Sequence, residues 1–300
     1  MTEGVLNVLK PSGMTSHDVV YHIKKIFSES RVGHGGTLDP QASGVLIVCI
    51  GQATRLLEWA LSDRKQYLAE MTLGIATDTQ DCWGKALKSM NWEFIESIDI
   101  HSTAESFVLP RQYIQLVPEY SAVKIDGVPM YKRARQGIKN SERFRETVIH
   151  QLQILQISNN KVKFLVDCSK GTYIRTLCND WGERLGVGAH LSFLLRVSTG
   201  DFSIDESYSL EEIQELKEKA LIPKERLIRQ MNKITLNEID TGKIQQGRMI
   251  EIAGSNQNNG DKIAVMTNSG CLIAICGIHS RTEGIFLKPL KVFHQKGLDA

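Results

Sequence analysis

No apolar run in this chain approaches the roughly 20 residues that a membrane-spanning helix needs. The N-terminus, Met1-Thr2-Glu3-Gly4, has no basic region followed by an apolar core, so no secretory signal peptide is expected. Cysteine is sparse. The six in 300 residues form no Cys-x-x-Cys pair, which argues against both a zinc site and a disulfide framework. Buried free thiols in a reducing compartment, the cytoplasm, are expected instead. A net charge of +2 gives the whole molecule no pull towards a polyanion, so only local clustering can speak for nucleic acid. No internal repeat is present.

Hydrophobic residues at 42% and charged residues at 23% are ordinary for a soluble globular protein. The length accommodates one large domain and a small one. The stretch Gly33-His34-Gly35-Gly36-Thr37-Leu38-Asp39-Pro40 stands at the centre. Glycines there allow backbone conformations closed to other residues and close approach of a ligand. Pro40 stiffens the position of the one carboxylate, Asp39. The same residue types also make an ordinary turn. A dinucleotide fingerprint is excluded: Leu38 stands where a third glycine or alanine belongs, and a strand rather than a helix follows.

Around this stretch the periodicities predict a short strand over Val5–Leu9 and a helix capped by Thr15 and Asp18, with Val19, Val20, Ile23, Ile26 and Phe27 on one face. A buried strand is expected over Gly44–Ile50, a short helix over Ala53–Leu61 and a strand over Gln66–Leu73. A helix is expected around Ile95, Ile98 and Ile100, whose periods are mixed. Val162, Phe164, Val166 and Cys168 alternate as a strand, which leads into a helix bearing Ile174, Leu177, Trp181 and Leu185 and stopping at Gly186. Tyr173 and Arg175 fall where that strand end meets the helix start. Ser209 and Glu212 open a further helix. Beyond Asn232, short strands at Ile250–Ile252, Ile263–Met266, Leu272–Cys276 and Ile285–Leu290, broken by turns such as Asn256–Gly260, suggest a small β-barrel.

One local charge cluster stands out. Between Lys124 and Arg145 seven basic residues face two acidic ones, interleaved with Tyr131 and Phe144. A charge run is by default a solvated face, but aromatic interleaving suits phosphates and bases.

Several motifs together resemble the TruB family of tRNA pseudouridine synthases. They are Lys10-Pro11-Ser12-Gly13, the octapeptide Gly33–Pro40, Tyr67 with Leu73-Gly74 and Thr77-Asp78-Thr79, Gly171-Thr172-Tyr173-Ile174-Arg175, and Gly188-Ala189-His190 with Leu194 and Arg196. They occur in the family's order. The resemblance implies an α+β catalytic domain around a mixed, largely antiparallel sheet over residues 1–231, with an RNA-gripping insertion at 118–147. It also implies a PUA-like RNA-binding β-barrel over residues 232–300.

It further implies that uridine in the T-arm of tRNA is converted to pseudouridine by breaking the C1′–N1 bond, turning the uracil and joining C1′ to C5. Neither metal nor organic cofactor is implied. Asp39 is then the catalyst, by covalent attack or by taking a proton from the sugar; both routes stay open. Arg175 partners its carboxylate. Tyr67 stacks on the flipped base, Tyr173 and Leu194 line the pocket, and Lys10 steadies the central loop. His34 fills the vacated place in the RNA stack, or serves as a structural donor; His190 is read as structural. Lys124, Lys132, Arg133 and Arg135 meet phosphates in the RNA. The protein is expected to act on tRNA as a monomer without an obligate protein partner or a membrane. The rival readings are a guide-RNA-dependent relative, an RNA-folding chaperone and a nucleoside hydrolase. The last lacks an aspartate cluster suited to a metal-bound water.

Overall fold

The strand Ser43–Ile50 is the hub of the fold, because its two faces belong to two different cores. Val45, Ile47 and Cys49 point into one and Leu46, Val48 and Ile50 into the other. A strand covered on both sides reads as a continuous apolar run, which is how the sequence presents it. These relationships come from a computed structural model that describes residues 2–61, 64–109, 112–252, 258–282 and 284–294.

The main sheet runs in the order Gly4–Lys10, Ser43–Ile50, Ala189–Thr199, Arg64–Leu73, Lys161–Ser169, Ile149–Ser158. It is the expected mixed, largely antiparallel sheet. Its neighbours are antiparallel except where Ala189–Thr199 meets Ser43–Ile50 in parallel, at Leu195↔Ser43 and Arg196↔Gly44. At this join Gly44 has φ 106°, and a Cβ there would fall 2.2 Å from the carbonyl oxygen of Arg196. Only glycine fits.

One face carries the helix Ser16–Phe27, which buries Val19, Val20 and Ile23 and opens with the predicted Thr15–Asp18 capping box. The helix Leu210–Leu216, with its Ser209–Glu212 box, packs on the same core. At the far end of the sheet, Tyr67, Met71, Phe164 and Val166 pack against the helices Ser97–Val108 and Ile174–Arg184. Trp181 is fully buried there, 5.3 Å from the Phe164 ring.

Three details differ from the sequence reading. The helix expected around Ile95–Ile100 starts only at Ser97, capped by Glu96 and Asp99, and buries Ile100, Ala104 and Phe107, while Ile98 stays exposed. The segment expected as one short helix is a 3-10 stretch, Gly51–Leu56, followed by a single α turn, Leu57–Ala60. Of the six free thiols, Cys82 and Cys271 are exposed because they sit on turns. Burial pushes the Cys49 and Cys168 thiols up to about 12, so they are inert.

The basic segment folds back on itself. A hairpin of Lys124–Ile125 and Val128–Pro129 precedes the helix Met130–Arg135, and Phe144–Thr147 pairs with Tyr113–Leu116. It has its own small core of Val117, Ile125 and Met130, against which Val123 and Tyr173 pack.

The C-terminal strands form one five-stranded sheet: Lys233–Thr235, Lys262–Met266, Leu272–Arg281, Gly284–Val292, Ile250–Ile252. It curls into a half-barrel whose two edge strands do not pair with each other among the described residues. Residues 256–257 of the turn expected at Asn256–Gly260 lie outside the described residues. This sheet is docked tightly. Met266, Leu272, Ile275 and Phe293 share a core with Val5, Val45, Ile47 and Cys49 of the main sheet. Glu58 meets Lys262 at 3.4 Å and Lys291 at 2.6 Å across the same junction.

Candidate active site

The strand Lys161–Ser169 ends in a turn closed by Thr172 Oγ1 donating to the Ser169 carbonyl, and the helix Ile174–Arg184 begins at once. That places Arg175 in the first turn of the helix. Gln115 fixes the residue before it: its side chain accepts from the Tyr173 N–H at 2.9 Å and donates to the Tyr173 carbonyl at 3.0 Å.

Arg175 then reaches across to the central loop. Its Nε donates to Asp39 Oδ2 at 2.8 Å and its Nη2 to Asp39 Oδ1 at 3.3 Å. The remaining donors meet the Thr79 carbonyl from Nη1 and the Tyr120 carbonyl from Nη2, both at 3.0 Å. One guanidinium therefore ties together the central loop, the turn after Thr77 and the basic segment. The planar fork of arginine suits this, whereas a lysine would make a point contact.

The central loop is fastened from below as well. Lys10 is fully buried, and its Nζ donates to the carbonyls of Pro11 at 2.8 Å, Met14 at 2.6 Å and Pro40 at 3.1 Å. Burial pulls the Lys10 ammonium down to about 8; the Asp39 charge acts upward and the Arg196 charge downward. Ser16 Oγ accepts from the Leu38 N–H at 2.9 Å and donates to the Leu38 carbonyl at 3.1 Å. The N-terminal motif is thus a clamp on both sides of Asp39.

Asp39, Arg175 and Leu194 converge on one cleft of about 160 Å3, along with Ser12, Gln41, Asp81 and Trp83. The Asp39 side chain is 42% exposed and that of Arg175 only 5%, so the carboxylate faces the cleft from a buried cation. Tyr67 lies in the core of the sheet, 7% exposed, and is not among the residues lining the cleft; burial raises its phenol above the ordinary range while Arg196 pulls it down. Tyr173 turns towards the basic segment rather than into the cleft. His34 is half-buried with its Nδ1 unpartnered among the described residues. Burial, then the charges of Arg196 and His17, hold it below its usual pKa. His190 is structural: its Nδ1 pairs with the Ile75 carbonyl at 2.8 Å.

Lys124, Lys132 and Arg135 are exposed on the basic segment, with Arg135 over the Tyr131 ring at 5.6 Å. Arg133 is half-buried and donates from Nε to Asn140 Oδ1 at 3.0 Å, so it serves the segment's own fold. These four meet on that segment, not at the cleft. A second, larger cleft of about 950 Å3 lies beside the junction of the main and C-terminal sheets, lined by six basic residues, Arg64, Lys65, Lys170, Arg226, Arg229 and Lys262, and four acidic ones, Glu58, Asp167, Asp201 and Asp261.

Sequence reasoning gave Arg196 no role. It is fully buried and donates from Nε to the Val45 carbonyl at 2.7 Å and from Nη2 to the Gly36 carbonyl at 3.2 Å, while its Nη1 has no partner among the described residues. A charged residue alternating with apolar neighbours on a strand, Leu194 and Leu195 before it and Val197 after it, was the signal available.

Solved structures share this architecture. One described as a Cbf5-Nop10-Gar1 complex has a TM-score of 0.75 and 29% identity, covering 97% of this chain and 85% of its own. An H/ACA RNP bound to a substrate RNA containing 2′-deoxyuridine gives a TM-score of 0.75 at 27% identity, covering 98% and 86%. Residues 24–174 match the model of the TruB family pseudouridylate synthase N-terminal domain, and residues 175–234 that of the tRNA pseudouridylate synthase B C-terminal domain. The chain belongs to the TruB family of pseudouridylate synthases. It is 39% identical to the tRNA pseudouridine synthase B of Bacillus subtilis (strain 168), over 99% of each chain. To that of Alkaliphilus oremlandii (strain OhILAs) it is 45% identical over 82% of each.

Proposed function

We propose that this protein isomerises uridine 55 in the T-arm of tRNA to pseudouridine, with Asp39 as the reacting group. The observation that carries the reading is the fork of Arg175 on Asp39: a carboxylate held in place by a buried guanidinium, yet open to the cleft. The chemistry needs one such group. Breaking C1′–N1 releases the uracil, and rejoining through C5 transfers the C5 proton to N1, with no net change in composition. Asp39 either attacks C1′ or takes the sugar proton before the base turns. Closure of the cleft around the base limits hydrolysis by water. Lys10, Ser16 and Arg196 hold the loop still, Leu194 packs on the base, and Tyr67 supplies a ring beneath it.

Phosphate contacts from Lys124, Lys132, Arg135 and the outer edge of Arg133 grip the T-arm. In this reading residues 1–231 are the catalytic domain, 118–147 its gripping insertion and 232–300 a PUA-like RNA-binding module. The enzyme acts as a monomer, in the cytoplasm, without a protein partner. A second reading, guided action inside a complex, draws on the similarity to structures described as ribonucleoprotein and Cbf5 complexes. One experiment separates the two. Purified protein alone is incubated with unmodified tRNA transcript, and pseudouridine is mapped by chemical derivatisation. Pseudouridine in the T-loop supports the first reading; formation only with an added guide RNA or partner supports the second.

A further inference from the structure

Two large aromatic side chains stand open on the lip of the Asp39 cleft. Trp83 is 68% exposed and Phe193 43%, and both line that cleft. Neither belongs to any hydrophobic cluster among the described residues. Of the four tryptophans, Trp181 is fully buried and Trp59 and Trp92 are half-buried, so Trp83 alone meets solvent broadly.

The turn that presents Trp83 is built firmly. Asp81 Oδ1 accepts from the Trp83 N–H at 3.0 Å and from Thr79 Oγ1 at 2.6 Å, and Asp78 Oδ1 accepts from the Lys85 N–H at 2.8 Å. Gly84 lets the turn close: a Cβ there would lie 2.3 Å from Thr79 Oγ1. Arg175 Nη1 binds the Thr79 carbonyl, so the turn is fastened to the same guanidinium that holds Asp39. The Cys82 N–H donates to Leu191 and the Leu191 N–H to Gln80, joining the turn to the strand that carries Phe193. On that strand the pairing slips between Leu191↔Met71 and Phe193↔Glu70. Ser192 is the extra residue of a bulge, a device that re-aims side chains beside active sites.

We propose that Trp83 and Phe193 form a stacking rim for an unpaired nucleobase of the RNA next to the flipped target. The proposal rests on the RNA-modifying reading above and adds a contact to it. The chemistry of the lip selects a base over a phosphate. Its carboxylates are Asp39 and Asp81, and its one cation, Arg175, is spent on Asp39 and on carbonyls. A phosphate would meet net repulsion there, whereas the face of a base is neutral. The turn fixes the backbone that presents Trp83, and stacking tolerates any base.

The test uses the full chain and an unmodified tRNA transcript, with wild type, Trp83→Ala, Phe193→Ala, the double variant and Trp83→Phe, each checked for an unchanged melting curve. Each alanine should raise Kd about tenfold. The slope of log Kd against log salt should not change, because no counterion-releasing contact is lost. Trp83→Phe should stay within about threefold of wild type. Quenching of tryptophan fluorescence on adding tRNA should shrink in Trp83→Phe. Three results would overturn the proposal: parental Kd in the double variant, a flattened salt slope, or undiminished quenching in Trp83→Phe. A wild-type dimer that dissociates in the double variant, with tRNA affinity kept, would also overturn it by assigning the rim to self-association. Failure of wild type to make pseudouridine would instead count against the isomerase reading, since the Kd and quenching measurements do not depend on turnover.

Discussion

Asp39 and Arg175 hold each other unequally. Arg175 is the buried member, bound also to the Thr79 and Tyr120 carbonyls, while Asp39 keeps much of its side chain in solvent. Removing the carboxylate therefore leaves a guanidinium with two partners, and removing the guanidinium leaves three segments untied. The two losses should differ in kind.

Asp39→Asn should abolish pseudouridine formation while tRNA affinity stays within about threefold, because affinity comes mainly from phosphate contacts. Stability should drop by only about 1 kcal/mol, since the amide oxygen still accepts from Arg175. Single-turnover assays with filter binding check both halves. Residual turnover near the parental rate would remove Asp39 from the chemistry.

Arg196→Lys should lower kcat by about a hundredfold through a loosened central loop, with a smaller effect on KM. An ammonium can keep the buried charge but cannot span the Val45 and Gly36 carbonyls as the guanidinium does. Parental kinetics in this variant would show that the loop holds its shape without the bridge.

Lys10 gives two pH effects of opposite sign. Below about 8 its ammonium offers three N–H groups to three carbonyls; above, the neutral amine offers two. Activity should decline as pH rises through about 8, and Lys10→Met should give a lower but flat profile over that range. Stability should do the reverse. The unfolded lysine keeps its proton up to its ordinary 10.5, so between about 8 and 10.5 the unfolded state binds more protons and the fold gains stability with pH. Denaturant midpoints across that window check the sign.

Gly44→Ala should cost about 3 kcal/mol or more, from a left-handed backbone and a methyl placed against the Arg196 main chain. The lost stability should come with lost activity, since Arg196 is the residue displaced. A melting curve within 1–2 °C of the parent would contradict the close contact.

Neutralising Lys132, Arg133 and Arg135 together should weaken tRNA binding and flatten its salt slope by about two units rather than three. Arg133 already donates to Asn140, so it has less to offer a phosphate. Titrations at four or more salt concentrations distinguish these values from an unchanged slope.

Much of this was legible in the sequence, for identifiable reasons. The unbroken run Gly44–Ile50 announced a strand buried on both faces, and Thr15–Asp18 and Ser209–Glu212 announced helix starts, because each depends on residues close in sequence. Motif order brought Asp39, Lys10 and Arg175 into view. The work of Arg196 was not visible, since its partners are Val45 and Gly36, some 150 residues away, and nothing local marks a strand arginine as a strut. The inward turn of Arg133 was hidden for the same reason: a basic run looks alike whether its members face water or an asparagine. The start of the helix at Ser97 was missed because Ile95 and Ile98 obscure the stripe of Ile100, Ala104 and Phe107.

The shared core between the C-terminal sheet and the strand Ser43–Ile50 fixes a distance. Phe293 and Met266 press on Val45 and Ile47, the strand that emerges directly from the Asp39 loop. An RNA that touches both the C-terminal surface and the Asp39 carboxylate would then have to present its uridine at the separation this shared core sets. Selection by span needs no base to be read. It would pass over a uridine in the right sequence but the wrong place along the arm, and accept one in a foreign sequence at the right offset.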